Sequence, residues 1–121
     1  MKRYLIILLL CFVFSGSALC QEMKIGRILD LYKQVSLKDR KAFDETIGGY
    51  AKGAETTNII FRKQKGIRLW CKPEKLAMSN NQYAYLLSDY VDKNPEYKTR
   101  PMKQFPFVLV WALMDTFPCK K

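Results

Sequence analysis

The sequence predicts an all-α protein: a small single-domain helical bundle of about four to five helices with one disulfide. Three observations predict it. Apolar residues recur at three- and four-residue spacing in four successive stretches, the period of an amphipathic helix. Ser36 and Ser79 open two of those stretches, while Gly66, Asn94-Pro95 and Pro118 close three of them. With 121 residues, 49% apolar and 26% charged, the chain is enough for one folded domain and too little for two.

Residues 1–20 read as a secretory signal peptide. Lys2 and Arg3 form a basic start, and Tyr4 to Phe14 is an unbroken apolar run of eleven residues. Eleven residues rise only about 16 Å as a helix, roughly half a bilayer core. A cleaved leader is therefore favoured over an anchor. Cleavage after Cys20 places Ala18 and Cys20 at the small-residue positions, and cleavage after Ser17 is the second option. A lipoprotein acylated at Cys20 is the competing reading, opposed by the bulk of Leu19 just before it. The domain then spans 21–121, with a charge of 19 − 11 = +8. It keeps two cysteines, Cys71 and Cys119. In an exported chain these most simply make one disulfide, the alternative being two separate buried thiols.

The first helix is expected over 22–34, with Ile25, Ile28, Leu29 and Tyr32 on one face. Ser36-Leu37-Lys38-Asp39 resembles a capping box and opens a long helix over roughly 37–62. Its apolar positions are Phe43, Ile47, Tyr50, Ala51, Ala54, Ile59 and Phe61. Gly49 and Gly53 lie four apart on one face and are read as a close helix–helix packing surface. Residues 63–78 are irregular and basic, with Pro73 limiting regular structure. Ser79 with Gln82 makes a second capping box, opening a helix over 80–93 that presents Tyr83, Leu86, Leu87, Tyr90 and Val91 to one side. A polar loop, Glu96 to Arg100, follows. The segment Val108-Leu109-Val110-Trp111 also fits a strand. A buried helix from Pro101 or Pro106 to Phe117 is preferred, because Leu109, Ala112, Leu113 and Phe117 share a face and Pro106 suits a first turn.

The composition limits the chemistry. With no histidine, imidazole bases and Ser-His or Cys-His nucleophile pairs are absent. Asp39, Asp44, Glu45 and Glu55 lie along the long helix and read as solvated rather than catalytic. Ser79 is better explained as a cap than as a nucleophile. No metal-ligand cluster and no phosphate-binding glycine loop is present, so the sequence predicts neither an enzyme nor a cofactor or metal. The basic surplus suits an acidic protein, an anionic surface or simple solubility, and export argues against nucleic acid. Arg62, Lys63, Lys65, Arg68 and, more weakly, Trp70 are the candidate partner-binding residues, since they cluster on and around one basic loop.

Gly49-Tyr50-Ala51-Lys52-Gly53 sits mid-helix. Then come Trp70-Cys71-Lys72-Pro73, a helix ending Asp92-Lys93-Asn94-Pro95-Glu96, an apolar helix with Ala112-Leu113, and Phe117-Pro118-Cys119. In that order, behind a signal peptide, the set resembles the Rap1a/Tai family of type VI secretion amidase immunity proteins over about residues 40–119. The sequence departs from the family pattern in lacking a first-helix cysteine that some relatives carry, in Pro106, and in its strong positive charge. The resemblance implies an all-helical periplasmic domain, often a homodimer, with Cys71 and Cys119 bridged and with Gly49, Tyr50 and Gly53 at helix-packing positions. It implies a non-enzyme that binds a peptidoglycan amidase effector and occludes its active site. The alternatives are a small periplasmic helical chaperone or stress protein, and a binder of the anionic cell-wall surface. No stable membrane insertion is expected once the leader is removed.

Overall fold

A computed structural model describes residues 22–120; the expected signal peptide lies outside the described residues. Four α-helices follow one another: α1 Ile25–Gln34, α2 Leu37–Lys65, α3 Asn80–Lys93 and α4 Phe105–Thr116. Two short 3-10 turns, Pro95–Thr99 and Met102–Gln104, join α3 to α4. Among the described residues there is no strand, only an isolated bridge between Lys24 and Pro101. The segment over 108–111 is helical, and Pro106 occupies its first turn, where its missing N–H costs nothing.

Local chemistry sets the helix ends. Ser36 Oγ accepts the Asp39 N–H at 3.3 Å, which satisfies one orphan donor of α2. The Ser79 N–H donates to Gln82 Oε1 at 2.8 Å, half of the capping box at the start of α3. Gly66 ends α2 in the left-handed region at φ 69°, a conformation that a side chain resists. The first helix starts later than the spacing predicts. Met23 and Lys24 stay extended because their backbone is engaged elsewhere: Met23 O accepts from Met102 N at 2.9 Å, and Ile25 N donates to Arg100 O at 3.0 Å.

The core lies where the four helices meet. Ile25 and Leu29 from α1, Ile47 and Ala51 from α2, Leu87 and Val91 from α3, and Phe105, Leu109 and Leu113 from α4 are all buried. Each large aliphatic or aromatic side chain so buried contributes on the order of 1.5–3 kcal/mol. Cys71 and Cys119 form the disulfide, and the Cys71 N–H donates to Phe117 O at 2.8 Å. The end of α4 is thereby tied to the irregular segment between α2 and α3.

The face of α2 assigned to packing is corrected. Gly49 and Gly53 have nothing within 4 Å of where a Cβ would stand, and Tyr50 is exposed. The close approach is at Gly48, where a Cβ would fall 2.0 Å from Asn80 Oδ1 at the start of α3. One residue along a helix turns the side-chain direction by about 100°. The pair four apart therefore shares a face, but that face is the outward one; Ile47, Gly48 and Ala51 form the inward one.

Candidate functional site

The C-terminal turns of α2 and the chain from Arg68 to Glu74 enclose an open cleft of about 350 Å³. Glu55, Asn58, Ile59 and Arg62 line it from the helix; Arg68, Trp70, Lys72 and Pro73 line it from the segment. Regular structure cannot hold that segment, since Pro73 removes a donor and no helix or strand forms there. Side chains hold it instead. Asn58 Nδ2 donates to Trp70 O at 2.9 Å, and Asn58 Oδ1 accepts the Leu69 N–H at 2.8 Å. One amide thus satisfies a donor and an acceptor that a strand partner would otherwise meet.

A polar cluster sits beside this clamp. Glu55 accepts the Tyr83 hydroxyl and pairs with the Lys72 ammonium, while Lys72 Nζ also donates to Tyr83 Oη at 3.3 Å. Burial first, and the bond to Glu55 second, push the Tyr83 phenol well above its ordinary value. Tyr83 therefore stays a neutral donor at any physiological pH. The cluster links α2, the segment and α3. It changes the reading of the long helix's acids: Glu55 and Asp44 are not merely solvated. Asp44 Oδ1 accepts the Tyr32 hydroxyl at 2.8 Å, tying α2 to α1.

The five candidate binding residues separate. Arg62 and Arg68 come together at the cleft, with Arg62 Nη1 at 3.3 Å from Glu74 Oε1. Arg68 makes no ion pair among the described residues. Lys63 and Lys65 are exposed on the last turn of α2, where cations favour the helix dipole, and do not line the cleft. Trp70 is corrected as a partner anchor: at 2% exposed it forms part of the core beside the disulfide. The apolar side chains that do reach solvent here are Ile59, Ile67 and Leu69.

Sequence reasoning missed Asn58, Lys72 and Tyr83 as one unit with Glu55. Asn58 carried a signal: it follows Ala51 and Ala54 on the inward face of α2, where a polar residue must find a partner. The Glu55–Lys72–Tyr83 contacts join residues up to 28 apart, and no local spacing announces them. Among the described residues, no helix is long and apolar enough to cross a membrane. No protein-family model, no curated protein and no solved structure matches the chain.

Proposed function

We propose that this chain is a periplasmic immunity protein that binds a peptidoglycan amidase of the type VI secretion kind and occludes its active site. The observation that carries the reading is the edge built from Arg62, Arg68, Ile59, Ile67 and Leu69, in which cationic and apolar side chains reach solvent beside a cleft. Its backbone is already held by the disulfide and by Asn58. A segment fixed before contact loses little freedom on binding, which favours a tight occluding complex. Arginine with flanking aliphatic side chains suits a binding anchor. The resemblance carried by the ordered motifs from Gly49 to Cys119 supports this choice of family and of the partner's class. Export as a soluble periplasmic domain is part of the same proposal.

The test is inhibition of a secreted cell-wall amidase encoded beside this chain. The wild type is expected to block hydrolysis of purified peptidoglycan. Arg62→Glu with Arg68→Glu is expected to weaken inhibition by about tenfold or more, the cost of losing an anchor worth over 1 kcal/mol, at unchanged melting temperature. Full hydrolysis in the presence of excess wild-type protein refutes the reading. Broad protection of unfolded client proteins at pH 3, with no amidase inhibition, identifies a chaperone instead.

A further inference from the structure

The charges along the cleft do not balance. Three cations line it, Arg62, Arg68 and Lys72, against two carboxylates, Glu55 and Glu74. Glu55 is committed: it pairs with Lys72 and also accepts the Tyr83 hydroxyl. Glu74 is held far more loosely. It meets Arg62 through one contact at 3.3 Å, and its side chain is 80% exposed. An ion pair so open to water is weak. Arg68 has no acidic partner among the described residues. One positive charge is therefore left over in a concave site. The surrounding stretch sharpens the imbalance. Residues 59–76 hold six cations, Arg62, Lys63, Lys65, Arg68, Lys72 and Lys75, and one acid, Glu74, a net of 6 − 1 = +5 out of the +8 of residues 21–121. A cleft with one sign of charge in excess focuses that field on an incoming ion of the other sign.

We propose that the cleft binds a carboxylate supplied by the partner, an Asp or Glu side chain set among apolar neighbours, and that Glu74 is the resident carboxylate it displaces. Arg68 is the open donor that meets the incoming group. A guanidinium is a planar fork of five donors that suits both oxygens of a carboxylate, and the Arg62–Glu74 contact uses only one of them. Glu74 leaves Arg62 at little cost, because its side chain is already mostly in water. Arg62 then becomes the second donor. The hydrocarbon stem of the guest has a wall to rest on: Ile59 is 50% exposed, and Trp70 and Pro73 line the cleft beside it.

Size and charge select the guest. At about 350 Å³ the cleft lies at the low end of ligand pockets, roughly 300–1,000 Å³. A carboxylate on an apolar stem uses both the surplus charge and the wall, whereas bare phosphate uses only the first. Glu74 adds selectivity, since an anion that binds no better than this tethered carboxylate does not displace it. The partner's identity rests on the amidase reading; the carboxylate site is a property of this chain alone.

Titration of the purified full chain with the peptide acetyl-Leu-Asp-Leu-amide, read by NMR at the arginine Nε–H and tryptophan indole signals, tests the site without the amidase. Shifts at Arg62, Arg68 and Trp70 are expected, with dissociation of about 1 mM, as suits one carboxylate and a few apolar contacts. The Asn counterpart of the peptide should bind about fivefold or more weaker, and Arg68→Gln should weaken the Asp peptide by a similar factor. Lys52→Gln removes the same charge from an exposed turn of α2 outside the cleft and should change binding by less than about twofold. Glu74→Gln should tighten binding by about two- to fivefold, the usual strength of an exposed ion pair. Equal binding of the Asp and Asn peptides overturns the proposal, and so does a Glu74→Gln chain that binds no tighter than wild type. Inorganic phosphate binding more tightly than the Asp peptide overturns it in favour of a phosphate site. Against the amidase the same order is expected, Glu74→Gln inhibiting better than wild type and Arg68→Gln worse. Inhibition that neither substitution alters overturns the carboxylate contact and leaves the amidase reading intact. Peptide binding with no amidase inhibition removes the amidase reading and upholds the site.

Discussion

Gly48, Gly49 and Gly53 sit within six positions of one helix and face different surroundings. A Cβ at Gly48 would meet Asn80 Oδ1 at 2.0 Å and Asn80 Cβ at 2.9 Å, so the start of α3 would have to shift. At Gly49 and Gly53 a Cβ meets nothing within 4 Å. There the glycines only add backbone freedom to the unfolded chain. Gly49→Ala and Gly53→Ala should each raise stability by about 0.5–1 kcal/mol, and Gly48→Ala should lower it, as urea unfolding will show. Spacing alone put Gly49 and Gly53 on one face and could not say which way that face points. The same limit explains Trp70. A large aromatic in a basic loop reads equally well as an anchor or as core, and only the tertiary path of the segment decides.

Between elements, Asp92 is the junction. It lies near the end of α3 and accepts from Lys33 of α1 at 2.6 Å and from Lys98 of the 3-10 turn at 3.0 Å. The bond to Lys33 first, and that to Lys98 second, hold its carboxyl below the ordinary 3.8. A carboxyl lowered by folding stabilises fully above its unfolded pKa, and that stabilisation fades as pH falls through the folded value. The group is 42% exposed, so the contribution is at most about 1 kcal/mol. Asp92→Asn should therefore cost up to about 1 kcal/mol at pH 7 and nothing well below pH 3.8, where the two unfolding curves converge. Equal stability of both proteins at pH 7 would remove Asp92 from the account. Helix boundaries were the most legible features at this scale. The start and end of α3 lie where Ser79, Gln82 and Asn94-Pro95 put them, because caps are local chemistry. The start of α1 was not legible: the backbone partners of Met23 and Ile25 lie more than seventy residues away.

For the whole molecule, the disulfide decides how much of the structure stands alone. A domain of about 100 residues buries roughly 65% of its unfolded surface and has little stability to spare. Cys71 and Cys119 are 48 residues apart, and closing that loop is worth about 4 kcal/mol in the chain-entropy model. At about 4–8 °C per kcal/mol for a domain of this size, Cys71→Ser with Cys119→Ser should lower the melting temperature by roughly 15–30 °C. The loss should not be uniform. Helices α3 and α4 share buried contacts through Leu87, Val91, Leu109 and Leu113, which the bond does not hold. The segment from Ile67 to Met78 has no helix and depends on the disulfide, on Asn58 and on the Lys72–Glu55 pair. Hydrogen exchange of the reduced variant should thus show the amides of 67–78 opening first while those of α3 remain protected. If the cleft edge is the inhibitory surface, the same variant should lose amidase inhibition at temperatures where its circular dichroism is still helical. An unchanged melting temperature on reduction would show instead that the packing of Trp70 and Phe117 holds the two ends together unaided.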